Sequence, residues 1–459
     1  NGGHISVFRP SNSTQAPTIA LDNAGQMATL TSGEGHGGDI ALNNISSLTL
    51  ENGAQLFSST GVDWANNTFS GTGLGGHISV TASDQVRVSG GNLDLFALTK
   101  ISSQSSGIGD NGHITLHAPS ISFEEGGTLV SQKSVSSSDS PGLHGNISLI
   151  SDSLTISGAF DFEGDLIPSG IQTIAKGPLS QTLGINAPLT GGNISVSSAY
   201  ISIDQGLIRS THQLLATGGN MVFDVGDLNV TNAGSISAKG DGILPTGRVL
   251  VTSTGSIVVS GEVNGMRSVI ENVADGLGHG SDISISAHEV LVSNGGRINS
   301  VTRGLDGHNI SISAEKSIVV SNGGKIRIGV GDFDGGALHI SAPSILLDQG
   351  ILQTSTAGTG NAGSVGLTAD HVMLTGGQIR SETEQTTGIG GNITIQASKT
   401  ISISGQFSGN DADDPGPAGI FARSFNSGGN AGNASLEAPI ITLSGGGQVN
   451  SSTSSAGLG

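Results

Sequence analysis

Few side chains in this chain are spaced for chemistry, and each has a plain structural alternative. His77 and His113 each sit between a glycine and an isoleucine. Imidazole is a common metal ligand, so the pair invites a metal reading. No third ligand recurs at that spacing, and asparagine takes the place later in the chain, which makes polar packing at a corner the default. The stretches GDFDGG, with Asp332 and Asp334, and NDADDPGP, with Asp411, Asp413 and Asp414, invite calcium. Calcium wants about six to eight oxygens, and neither stretch has the EF-hand loop with its closing glutamate. Glu124 and Glu125 are adjacent, so on a strand they face opposite ways and make a poor acid/base pair. Asp161, Glu163 and Asp165 could hold a glycosidase-like carboxylate pair, but spacing alone does not establish one. Arg297 and Lys325 each follow a glycine pair. They read as a small basic patch for an acidic glycan or as two long, solvated side chains. Trp64, the only tryptophan, is the candidate for stacking on a sugar ring or for capping the core. GxSxG, HExxH and phosphate-binding loops are absent. The expectation is no catalytic, metal or cofactor site, with Trp64, Arg297 and Lys325 as possible ligand contacts.

What positions these residues is a repeat. Units opening at Ile283, Ile310, Leu338 and Val365 are 27, 28 and 27 residues apart, and each carries three short apolar alternations. The first unit has Ile283/Ile285, Val290/Val292 and Ile298, which is the period-two mark of strands with one buried face. Three such strands cannot bury that face alone, whereas stacked units can. The reading is an all-β, right-handed parallel β-helix with three-strand coils of 27–28 residues.

Equivalent anchors run from Ile5 through Ile40, Ile78, Ile114, Ile147, Ile194, Met221 and Val249 to the four units above, then to Ile393 and Ala434. That makes about fourteen coils, the last incomplete, and a rod on the order of 65 Å at about 4.8 Å per stacked strand. The expected organisation is one solenoid over 1–459: loop-decorated coils over 1–193, mostly regular ones over 194–392, and loop-bearing, incomplete ones over 393–459. The extra residues of the coils from Ile40, Ile78, Ile114 and Ile393 are placed after the third strand, and those of the coil from Ile147 after Ser157. Insertions on one side of a repeat fold often form its binding side. Glycine stands two residues before most anchors, read as supplying a positive-φ corner. The residue between is often asparagine: Asn146, Asn193, Asn220, Asn309 and Asn392 are expected to form a side-chain ladder from coil to coil. The many N-x-S/T sequons follow automatically from the N-I-S/T strand start.

Composition agrees with thin coils and many turns: 75 glycines and 3% aromatic residues in 459. The net charge of −19 argues against nucleic acid, whose phosphates need clustered lysine and arginine. There is no cysteine, so stability must come from the strand ladder rather than disulfides. No apolar run approaches a membrane span of roughly 20 residues, and nothing resembles a signal peptide. The chain opens in mid-repeat without a methionine and reads as a mature or internal piece of something longer.

The phrases GGNISV, GGNITIQA and NGGRINS resemble the repeats of filamentous-haemagglutinin-type exoproteins of two-partner secretion systems, over essentially the whole chain. That resemblance implies an exported adhesin at a Gram-negative-type cell surface, with an outer-membrane secretion partner. It also implies a glycan or a host- or neighbour-cell receptor as the ligand. The NPNG-type motif of that family's secretion domain does not occur, so the chain reads as repeat shaft. The alternatives are a self-assembling extracellular filament, associating end to end, and a polysaccharide-acting β-helix enzyme. Such an enzyme should gather Asp, Arg or Lys on one strand face, where this chain has mostly Ser, Thr and Asn.

Overall fold

The computed structural model describes residues 3–9, 15–31, 35–63, 68–69, 73–135, 142–177, 189–383, 388–409, 415–425 and 429–454. Among them there is no α-helix. The chain divides into two compact units, Asn1–Gly226 with Ser235–Gly247, and Asp227–Gly234 with Arg248–Gly459. Each is a parallel β-helix.

In the first unit the parallel register places Ile5 beside Ile40, then Ile78, Ile114, Ile147 and Ile194. In the second it runs from Val249 through Ile283, Ile310, Leu338, Val365 and Ile393 to Ala434. These are the residues the repeat aligns, so inserted loops leave the stacking register untouched. The first two strands of a coil share one sheet and often run on as a single bent strand, as in Ile40–Glu51 and Ile283–Ser293. The bend carries a register shift between Ala287 and Glu289. Where proline stands at the bend, as Pro119 and Pro343 do, the strand breaks in two, because proline has no N–H for the ladder.

The inward residues of these strands, such as Ile40, Leu42, Leu48 and Leu50, are fully buried. Burying each such side chain is worth roughly 1.5–3 kcal/mol before entropy is counted. The third strand begins alike, with Leu56, Ile101, Leu129, Ile171 and Ile208 in one row. Its next inward row is polar: Thr29, Ser58, Ser103, Ser131, Thr173 and Ser210. Most of these hydroxyls have a fixed acceptor. Thr29 donates to the Gly38 carbonyl at 2.6 Å and Ser131 to that of Gly145 at 2.9 Å. Thr354 and Ser381 both donate to Gly363, at 2.6 and 2.7 Å.

These glycines are the ones that precede the anchors by two, and their role differs from the expected one. None of Gly76, Gly112, Gly145, Gly192 and Gly391 has positive φ. A Cβ on Gly112 would lie 1.9 Å from the Gly76 carbonyl oxygen, and on Gly219 1.8 Å from that of Gly192. The requirement is close approach of one coil to the next. Left-handed backbone is used instead at the corner between second and third strands, where Asn52-Gly53 and Asn294-Gly295 have φ of 53°/84° and 51°/80°.

The insertions also differ in place. In the coils from Ile78 and Ile393 the extra residues form hairpins before the third strand, at Gly91–Asn92 with Ala97–Leu98 and at Gln406–Phe407 with Gly416–Pro417. Leu93 and Leu95 look like a strand in sequence but are exposed turn residues, and the true third strand is the serine-rich Lys100–Ser106.

The glycine constraint predicts that Gly363→Ala, whose Cβ would meet the Gly336 carbonyl at 1.9 Å, costs more than about 2 kcal/mol in urea unfolding. Gly416→Ala, with its nearest neighbour atom at 3.6 Å, should stay within about 0.5 kcal/mol of the parent.

Candidate functional site

The candidate residues before the strand anchors are spent on a hydrogen-bonded column that ties coil to coil. In the first unit His4 Nδ1 accepts the Asp39 N–H at 3.0 Å, and Asp39 Oδ1 accepts that of His77 at 2.8 Å. His77 Nδ1 takes the His113 N–H at 3.0 Å, and His113 Nδ1 takes that of Asn146 at 2.9 Å. Asn146 Oδ1 accepts from Asn193, and Asn193 from Asn220, each at 2.8 Å. In the second unit Asp282 accepts from Asn309 at 3.0 Å, Asn309 from Ala337 at 2.8 Å, and Asn392 from Asn433 at 2.9 Å. The bonds run from side chain to main chain rather than from one asparagine side chain to another. His, Asp and Asn are interchangeable here because each puts an acceptor at the same reach.

A second column lies three residues earlier, where sequence reading saw only loop. His36 Nδ1 accepts from Leu74 at 3.0 Å and Asp110 from Leu143 at 2.6 Å. Asp334 accepts from Asn361 at 2.7 Å and Asn361 from Ile389 at 2.9 Å. Asp334, a calcium candidate, is thus a corner acceptor; Asp411, Asp413 and Asp414 lie outside the described residues.

His77 and His113 stack with ring centroids 5.2 Å apart and planes 19° apart. Because each Nδ1 receives a main-chain N–H, Nε2 must carry the ring hydrogen. A metal on Nε2 would have to strip that proton and leave an imidazolate. The pair therefore presents two N–H donors, on the wall of a groove of about 610 Å³ also lined by His4, Asp39, Asp110 and Asn146. A second groove, of about 570 Å³, lies on the outward first-strand face of the second unit. Ser284, Ser311, His339, Gly366 and Thr394 line it, and no carboxylate does.

The carboxylate candidates do not converge. Glu124 binds Arg87 Nε at 3.1 Å, and Glu51 holds the same guanidinium from the other side. Glu125 sits in a turn at φ 49°. Asp161 and Asp165 lie on one exposed hairpin, Asp161 opposite Leu166 and Asp165 opposite Phe162, with Asp161 Oδ1 accepting the Gly164 N–H at 2.8 Å. Arg297 and Lys325 are register neighbours, but they are not the exposed pair that a basic patch needs: Arg297 is half-buried and Lys325 only 7% exposed. Trp64 lies outside the described residues.

Three titratable groups lie inside the first coil stack. Lys133 is fully buried in the inward row between Ser105 and Ala175. Its ammonium donates to Ser105 Oγ at 3.1 Å and to the Gly109 carbonyl. Burial lowers its pKa to about 8, against a smaller raising effect of Asp110. His144 is wedged between the carbonyls of Gly145 and Ile174, at 2.8 and 2.9 Å. Its pKa is lowered, chiefly by burial, as are those of His212 and His113.

Two pH effects follow. A base whose pKa is lower folded than unfolded leaves the unfolded chain holding more protons in between, so stability rises with pH across that window. For the histidines that stability is complete above the ordinary value, about 6.5, and is lost as pH falls through it. Hydrogen exchange, corrected for intrinsic rates, should show the amide of Asn146, held by His113, losing protection between pH 7.5 and 5. Those of Ala337 and Asn433, held by asparagine, should keep theirs, and His113→Asn should remove most of the difference. For Lys133 the window is about pH 8 to 10.5. Lys133→Met should raise stability at pH 7 by up to about 3 kcal/mol, the cost of a shift of this size. That gain should fade toward pH 10.5 in chemical denaturation.

Comparison with models of protein families, with curated proteins and with solved structures returns no match for this chain.

Proposed function

We propose that the chain is a non-enzymatic scaffold from an exported, filamentous-haemagglutinin-like surface protein, a β-helical shaft that holds inserted hairpins outward for adhesion. The observation that carries this reading is how the polar side chains are used. Corner acceptors such as Asp39, Asn146 and Asn309 bond the next coil's main chain, and most inward hydroxyls bond glycine carbonyls. The outward strand faces carry serine and threonine, as in the Ser284–Thr394 groove. The inserted hairpins carry exposed side chains that the stack does not use, such as Leu95, Phe96 and Leu166. Repeat folds with insertions on one face bind there. The acidic, cysteine-free composition suits export and display outside the cell. The ligand on this reading is a glycan or protein receptor on a host or neighbouring cell.

A self-assembling filament is the second reading, since a strand ladder that pairs coil on coil can pair on with another copy.

The test is to display the chain on beads, measure retention on epithelial and bacterial cells, and image the free protein by electron microscopy. Saturable retention that soluble chain competes away, from separate short particles, is the expected result. Long fibres would replace this reading with the filament. Release of reducing ends from a polysaccharide panel without retention would replace it with an enzyme.

A further inference from the structure

The first unit carries an apolar surface that neither the core nor the corner columns use. Two hairpins, Gly91–Leu98 and Ala159–Pro168, emerge at the corner between second and third strands of the coils from Ile78 and Ile147. They pack on each other through rings. Phe96 meets Phe162 edge-on at 5.8 Å, and Phe160 meets Phe162 at 6.4 Å. Gly91 lies so close to Phe160 that a Cβ there would be 2.7 Å from the ring. The hairpins therefore form one platform.

Its outer side is greasy. Phe96 is 68% exposed, Leu166 63%, Leu95 56% and Leu93 50%. Contiguous exposed apolar groups of this kind mark interaction sites on soluble proteins. Phe96 also has φ +50°, a left-handed conformation that costs a bulky residue of this type strain. The hairpin from Ala159 turns on Glu163-Gly164, whose glycine takes the more extreme φ of 93°. The strain is kept while the ring points outward.

The rim has one sign of charge. Asp94, Asp161, Glu163 and Asp165 are exposed, and among the described residues none of them is in an ion pair. An acidic rim repels phosphate and anionic lipid headgroups, and leucine side chains offer nothing to bond sugar hydroxyls. Apolar knobs flanked by lysine or arginine are complementary to it.

We propose that this hairpin platform is a docking surface for a protein segment that alternates large apolar with basic residues. The proposal rests on the scaffold reading above and names the partner class for its insertion side.

The test uses the whole purified chain and three sets of immobilised 15-residue peptides, alternating Leu with Lys, Leu with Glu, and Ser with Lys. Neutral and acidic oligosaccharides serve as a further probe. The Leu/Lys peptides should be preferred at least tenfold, with binding that weakens as salt rises. Phe96→Gly removes the ring and relieves the left-handed strain. It should hold or raise the melting temperature while lowering Leu/Lys binding at least tenfold, and Asp161→Asn with Asp165→Asn should lower it severalfold. Equal binding by Phe96→Gly and the parent, or preference for Leu/Glu or Ser/Lys peptides, overturns the proposal. So does an oligosaccharide that binds the platform in place of the peptides. Bead retention of the parent chain is scored separately: peptide failure with retention intact sinks only the platform, whereas loss of retention sinks the scaffold reading itself.

Discussion

The whole architecture hangs on how closely one coil approaches the next at the glycine corner. Gly112, Gly145, Gly192 and Gly219 each stand with their Cα hydrogens against the preceding glycine's carbonyl, where a Cβ would come within 2.2 Å. That approach brings the anchor N–H onto the carbonyl of the neighbouring coil, as from Ile78 to His113 and from Ile194 to Asn220, both at 2.9 Å. It also puts the side chain between them within reach of the next main-chain N–H. The glycine carbonyls accept hydroxyls from the third strand. One steric condition, absence of a Cβ, therefore supports the main-chain ladder, the acceptor column and the inward serine–threonine row together.

This arrangement explains why the interior tolerates so much polarity. A buried hydroxyl costs stability only when it lacks a partner, and the glycine carbonyls supply one at nearly fixed position. Lys133 and His212 occupy the row next to those hydroxyls and show the limit of that tolerance. A hydroxyl finds its acceptor without carrying charge, whereas an ammonium or imidazolium must also give up its hydration. The use of histidine in the first unit's corners and mostly asparagine or aspartate in the second's is chemically silent while the rings are neutral. It ceases to be silent once Nδ1 gains a hydrogen that points at a donor.

Much of this was legible in sequence, and the failures have a common cause. The anchors from Ile5 to Ala434 could be aligned because period-two alternation reports burial directly. The insertion was misplaced in the coil from Ile78 because the inward row of its third strand is Ser103 and Ser105, which no hydrophobic pattern reveals, while Leu93 and Leu95 imitate an alternation in an exposed turn. The glycines were found but given the wrong role, since sequence cannot separate a need for left-handed φ from a need for room. The asparagine column was seen as side chains facing side chains. That it faces main chain depends on a vertical offset between coils that spacing does not contain. Arg297 and Lys325 read as exposed because they are charged. Their burial comes from neighbouring coils, and no property of their own segments announces it.

The same reasoning locates where a partner can be held. At the corner before the first strand the column acceptors bond the next coil and the glycines leave no volume, so an insertion between third and first strands sits ahead of them, as the hairpin Val62–Asp63 with Thr68–Phe69 does. The corner between second and third strands is closed in plain coils by two left-handed residues, such as Asn322-Gly323 with φ of 47° and 76°. A hairpin can replace such a turn simply by lengthening its arms and repeating the turn at the tip, as Asn264-Gly265 does at 52° and 77°. Insertion at this corner costs the stack almost nothing, and stacking carries successive insertions onto each other. Phe96, Phe160 and Phe162 meet for that reason, although 64 residues separate Phe96 from Phe160. The coil spacing that builds the core thus also assembles a surface that no single coil could present.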